Sequence, residues 1–225
     1  MKKVFLVIVL IYSGFTAVAQ NPTRVEIPVE LYRNQLRDGQ LPPDLEGSPY
    51  DHEEFIAGTV TVKDSDPVPA MLRYDVYRDN IEMQEGESTV SLLKRDYIIA
   101  TINQDKFVIA KYMPKNEDVR QGYLIQLNDG PIKLLKRKSK RFLPATETFS
   151  TYKAEKPPRF LDQTDYYLSS GKEYAEDIKL RKKNILNAMD NASDASKIVK
   201  ELDLDLSEEN DVIRLLNMLN NNDAM

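Results

Sequence analysis

The apolar positions of this chain change their period twice. Over residues 55–62 they alternate, with Ile56, Gly58, Val60 and Val62 on one face of a strand. The turn cluster Asp64-Ser65-Asp66-Pro67 separates this run from a second alternation that puts Ala70, Leu72, Tyr74 and Val76 on one face. Asp79-Asn80 and Gly86 punctuate two further short runs, around Ile81 and Met83 and over residues 89–93. Short strands with tight connections predict an antiparallel meander.

Over residues 97–112 the alternation disappears. Tyr97-Ile98-Ile99-Ala100-Thr101-Ile102 and Phe107-Val108-Ile109-Ala110 are apolar on both faces, with Gln104-Asp105 as the turn between them. Strands of this kind need cover on both sides. Cover by the chain itself, through C-terminal helices or a second sheet, gives a closed core. Cover by a lipid or other apolar ligand gives a pocket lined by Tyr97, Ile99, Phe107 and Ile109. Alternation resumes over residues 121–127, and Asn128-Asp129-Gly130 is a strong hairpin signal, because Asp-Gly supplies the positive φ of a twisted turn. The returning strand, residues 132–143, has cations on both faces: Lys133, Arg137 and Arg141 on one, Lys136, Lys138 and Lys140 on the other. That predicts a projecting strand or a protected edge. Residues 144–158 read as a polar loop, and residues 159–168 as a last strand ended by Gly171.

Beyond this point the period becomes helical. Ile178, Ile185 and Met189 form one stripe. Ala195, Ile198, Val199 and Leu202 form a second, opened by Ser193, and Val212, Leu215, Leu216 and Leu219 a third, opened by Ser207. Residues 220–225 read as a frayed polar end. The fold class expected is α+β: a β-rich, curved antiparallel sheet over residues 55–170, with C-terminal helices of residues 171–225 packed on it. Residues 20–54, punctuated by Pro22, Pro28, Pro42, Pro43 and Pro49, form an extended arm that Tyr50 and Phe55 anchor to the sheet.

Residues 1–19 have another character. Lys2 and Lys3 precede an apolar run, and Ala17-Val18-Ala19 offers the small side chains a signal peptidase accepts. The segment is expected to be a cleavable signal peptide, which places the protein in the periplasm or outside the cell. Its apolar run is shorter than the ~20 residues that span a bilayer, so no transmembrane anchor is expected after cleavage. The formal net charge is −5 and becomes more acidic by two without Lys2 and Lys3, so nucleic acid is not an expected partner. With no cysteine there are no disulfides, thiolate metal sites or cysteine nucleophiles. An exported chain without disulfides suits a bacterial envelope.

Candidate chemistry is sparse. The one histidine, His52, sits in Asp51-His52-Glu53-Glu54 without HExxH spacing. No GxSxG elbow, GxGxxG or phosphate-binding glycine loop is present. Asp203, Asp205, Ser207 and Glu209 begin like a calcium loop, but Glu208 stands where glycine is needed and Arg214 where the closing glutamate is needed. No metal site or cofactor is expected. Asn191-Ala192-Ser193 matches a glycosylation sequon by accident. The 36 acids leave a carboxylate-pair hydrolase open. The run Lys136, Arg137, Lys138, Ser139, Lys140, Arg141 is a solvated edge, or a patch for an anionic partner such as a lipid headgroup, an acidic glycan or an envelope protein.

Three stretches carry a resemblance: GSPYDHEEFIAGTV at 47–60, LRYDVYRDNIEM at 72–83, and the C-terminal half, where Arg159-Phe160-Leu161 leads to Tyr166-Tyr167-Leu168 and then to Arg181-Lys182-Lys183-Asn184-Ile185-Leu186. In these the chain resembles a family of secreted Bacteroidota proteins. The resemblance implies export and carries no implication about catalysis. The functional expectation is a non-enzymatic binding or interaction protein, with an apolar-ligand carrier and a carboxylate hydrolase as alternatives.

Overall fold

A computed structural model describes residues 27–28, 31–34, 41–146, 156–190 and 192–222. The leader, most of the 20–40 segment, the middle of the 144–158 loop and residues 223–225 lie outside the described residues. Eleven strands and three helices are described: β1 (Tyr32–Asn34), β2 (Ile56–Val62), β3 (Val68–Asp75), β4 (Asn80–Glu85), β5 (Ser88–Leu92), β6 (Ile98–Ile102), β7 (Asp105–Met113), β8 (Arg120–Gln126), β9 (Ile132–Leu143), β10 (Arg159–Ser170), β11 (Ala175–Ile178), α1 (Lys182–Asn187), α2 (Ala192–Glu201) and α3 (Glu209–Asn222). The fold is α+β, with a β-rich sheet and a C-terminal helical part.

The connections follow turn chemistry. Asp64, Asp79 and Asn103 take positive φ at the β2–β3, β3–β4 and β6–β7 turns, a conformation Asp and Asn tolerate better than other non-glycine residues. β1 to β6 form an antiparallel meander in the order β1-β5-β4-β3-β2-β6, and β6 passes it on to β7. Here Tyr50 bridges Asp75, and Pro49 accepts hydrogen bonds from the Val76 and Tyr77 amides. The Arg73 guanidinium lies 3.7 Å from the Tyr50 ring centre and 4.4 Å from that of Phe55, and is paired with the buried Glu82 at 2.6 Å. Tyr50 and Phe55 are thus the anchors of the arm. The two stretches at 47–60 and 72–83 meet in this one cluster.

β7 is the junction. One edge pairs with β8 from Lys106 to Tyr112. The other pairs with β6 at Asp105, Lys106 and Phe107, and with β11, in parallel, at Tyr112 and Met113. β8 pairs with β9, β9 with β10 along twelve residues, and β10 with β11. The circuit β7-β8-β9-β10-β11 therefore closes into a small barrel. Its interior core has one buried residue from each strand: Tyr112, Leu124, Leu135, Tyr167 and Ala175. This closure explains the two-sided apolar strands. Phe107, Ile109, Tyr123 and Ile125 point outward into the core shared with the meander, whereas Val108 and Ala110 pack on the barrel interior. The helices cover a different wall, where Leu134, Leu168 and Ile178 meet Ile185, Val199, Val212 and Leu216.

Three expectations change and one stands. Ile178 belongs to β11 and not to a helix, because it pairs with Tyr166 and extends the sheet into the segment assigned to helices. Ser193 lies inside α2, which begins at Ala192. β9 does project as expected: it pairs with β10 along its length but with β8 only at Leu135 and Lys136, so among the described residues 137–143 are paired on one side. Asn220 is not frayed: its side chain accepts from the Ile132 amide and donates to the Ile132 and Asp129 carbonyls, pinning α3 to the β8–β9 hairpin.

Asp79 ties the meander to the barrel. Its carboxylate accepts from the Tyr74 hydroxyl at 2.9 Å, from Lys94 at 2.6 Å and from the Tyr123 amide of β8 at 3.2 Å. Gly122 makes room for it, since a Cβ there would sit 2.6 Å from Asp79 Oδ2. Asp79→Asn keeps a residue that tolerates positive φ but loses the charge. It is expected to cost about 1–3 kcal/mol in urea denaturation, and Asp79→Ala more, because alanine also disfavours the left-handed backbone. An unchanged midpoint in both variants would show that the two sheets hold together without it.

Candidate functional site

The strands of the barrel alternate inside and outside, so the interior positions can be followed two residues at a time. On β9 they run Leu135, Arg137, Ser139. On β10, in opposite direction, they run Tyr167, Asp165, Gln163, and the register pairs Leu135 with Tyr167, Arg137 with Asp165 and Ser139 with Gln163. On β11, Ala175 is followed by Asp177, which pairs with Tyr167. One layer above the apolar core the interior thus becomes charged. This layer and the 114–120 segment line a groove of about 310 Å³ at the barrel mouth.

Arg137, Asp165, Asp177, Ser139 and Gln163 form its walls, and Lys115, Glu117 and Arg120 its rim. Tyr167 closes the floor, its ring 4.9 Å from that of Tyr112 in an edge contact. The Arg137 guanidinium lies 5.3 Å from the Tyr112 ring centre, a cation–π distance. Its Nε is buried and has no hydrogen-bond partner among the described residues. Arg120 and Glu117 pair at 2.6 Å. Burial pushes the Tyr167 hydroxyl up, with the Asp165 charge adding to it. Burial also raises the Tyr112 hydroxyl, against the pull of Arg137. The Asp177 carboxyl is raised by burial first and by Asp165 second, while Lys179 and Lys115 oppose the shift. Such a lining offers donors and acceptors, with one carboxyl whose proton burial holds more tightly than usual.

The residues singled out in the sequence lie elsewhere. Phe107 and Ile109 are buried in the core between meander and barrel, Ile99 is half-buried on the opposite face of β6 from Ile98 and Ala100, and Tyr97 is 41% exposed. Of the four, Phe107 alone lines one of the cavities described among the described residues. The space beside Phe107, shared with Asp51, His52 and Arg73, holds only about 10 Å³. His52 stands beside Asp51 at 3.9 Å with its side chain 53% exposed. Among the described residues no group of three or more histidine or acidic side chains is placed to hold a metal.

The cationic run is divided by the alternation of β9. Lys136 pairs with Glu209 at 2.8 Å, Lys138 with Asp51 at 2.7 Å and Asp105 at 3.3 Å, and Lys140 with Asp162 at 2.8 Å. Each of these lysines pairs with an acid of the same chain. Arg137 is the one cation of the run that lines the groove, next to Ser139, and Arg141 is exposed. Sequence reasoning missed Asp165, Asp177, Gln163, Ser139, Lys115, Glu117 and Arg120. The available signal was parity: charged residues two positions from Leu135, Tyr167 and Ala175.

Compared with protein-family models, with curated proteins and with solved structures, the chain finds no significant match.

The raised Asp177 carboxyl gives a pH prediction. Its proton is held more tightly in the folded than in the unfolded chain, so its contribution to stability is present below the ordinary value of 3.8 and is lost as pH rises through the raised one. Asp177→Asn is therefore expected to melt higher than the unmodified protein near neutral pH, with the difference vanishing in acid. A lower melting temperature at neutral pH would contradict this reading.

Proposed function

We propose that this protein is exported and acts as a non-enzymatic binding protein, with the mouth of the small barrel as its site for a polar ligand. The observation that carries the reading is the change of barrel lining from apolar to charged within one layer, at an open groove. Charged side chains facing into a barrel lose hydration, and that cost is offset where a ligand supplies partners. The groove's volume of about 310 Å³ lies in the range of small-molecule sites. The filled interior removes the motive for an apolar carrier built on residues 97–109. Export rests on the sequence of residues 1–19, on the absence of cysteine and on the resemblance to secreted Bacteroidota proteins.

A second reading uses the same groove. Asp165 and Asp177 are neighbouring carboxylates of which one is held up toward protonation, the division of roles a general acid and a general base need. It differs from the first in one outcome, since a hydrolase consumes the ligand and a binding protein returns it intact.

The binding test uses protein recovered from a bacterium expressing the full chain. Native mass spectrometry and calorimetry with hydrophilic extracts are expected to show a ligand that Arg137→Gln and Asp165→Asn each weaken at least tenfold without unfolding the protein. Ligand binding indifferent to both substitutions would sink the reading. Cleavage of the bound compound, abolished by Asp177→Asn, would transfer the site to the hydrolase. Exported protein is expected to begin at Gln20 on N-terminal sequencing, and retention of Met1 in the envelope fraction would remove the export claim.

A further inference from the structure

The barrel mouth does not end at β11. On its far side lies a second cavity of about 520 Å³, between β11, the 113–116 segment and α1. Pro114, Lys115 and Asp177 line both cavities. We infer that the two are consecutive subsites of one elongated site, and that its ligand is a neutral oligosaccharide. This rests on the binding reading of the mouth.

Two features argue for the class. The first is charge. The mouth sets Lys115, Arg120 and Arg137 against Glu117, Asp165 and Asp177, so it has no net preference for an anion or a cation. Hydroxyl groups suit it, because each donates to a carboxylate and accepts from a guanidinium. The second is the lining beyond Asp177. There Glu176 and Lys179 keep the charge balanced, while Asn116, Asn184 and Asn187 supply amides that donate and accept, beside the apolar surface of Met113, Ile178 and Ala188. A sugar ring has the same division, with hydroxyls around its rim and C–H groups on its faces. The amides and apolar surface added beyond the shared Pro114, Lys115 and Asp177 match successive units of a chain better than one compact molecule. A compact molecule would fill the mouth and leave the second cavity unused. Occupying both subsites through one chain makes the second contact intramolecular, so affinity rises steeply with chain length.

The experiment is a glycan array of neutral and uronate oligosaccharides graded from one to six units, with peptides of matching length, followed by calorimetry on the hits. Neutral oligosaccharides are expected to bind at least tenfold more tightly at four units than at one. Asn184→Ala and Asn187→Ala, which lie on α1 and favour helix, are expected to abolish that gain and leave the single unit's affinity unchanged. Arg137→Gln is expected to weaken both. Affinity independent of chain length would overturn the inference and leave the mouth reading standing, as would binding confined to uronates or peptides but still dependent on Arg137. A protein that binds no array member and retains no hydrophilic ligand through Arg137 would overturn both.

Discussion

The structure depends on the closure of β11 onto β7. Two residues of parallel pairing, at Tyr112 and Met113, turn what would be an open meander into a ring. Closure pairs the β7 and β11 edges with each other, edges that an open sheet must otherwise protect. It also encloses the Tyr112, Leu124, Leu135, Tyr167 and Ala175 layer, which excludes water from the barrel centre. β7 accepts this pairing because β6 covers only its first three residues and leaves the rest of that edge free. The meander, the barrel and the helices are thus three layers that share walls, with β7 and β8 serving the first contact and β9, β10 and β11 the second.

Closure also makes the mouth. Once the interior is closed, every second residue of its strands faces one axis, and a change of residue type on three neighbouring strands becomes one wall of that type. Leu135 to Arg137, Tyr167 to Asp165 and Ala175 to Asp177 make the change together. The cations on the other parity of β9 are consumed by Glu209, Asp51, Asp105 and Asp162, which fasten the hairpin to α3, to the 47–60 segment and to the β6–β7 turn. The same alternation that fixes the scaffold sends Arg137 inward.

Much of the fold was legible because it is local. The alternation of β2 and β3, the Asp and Asn turns, the Asp129-Gly130 hairpin and the stripes of α2 and α3 each declare themselves within ten or fifteen residues. The apolar runs at 98–110 announced that both faces were covered, but not by what, because the cluster on which Val108 and Ala110 pack includes Tyr167 and Ala175, more than fifty residues away. Ile178 was misread as helical, since a four-residue strand has too few positions to show its period. The candidate site was not legible for the same reason. Arg137, Asp165 and Asp177 are inconspicuous in three separate segments, and only the closed register brings them to one groove. The cationic run drew notice as a cluster in sequence, whereas the fold splits it by parity.

The account stands on the barrel mouth being the place where a ligand binds. Hydrogen–deuterium exchange of the full chain, with and without a ligand recovered from the protein's own host, tests this most directly. The prediction is slower exchange confined to residues 114–120, 137–139, 163–165 and 176–178, with the β2–β5 meander unchanged. Protection elsewhere, with these segments exchanging as fast in the complex as in the free protein, would contradict it.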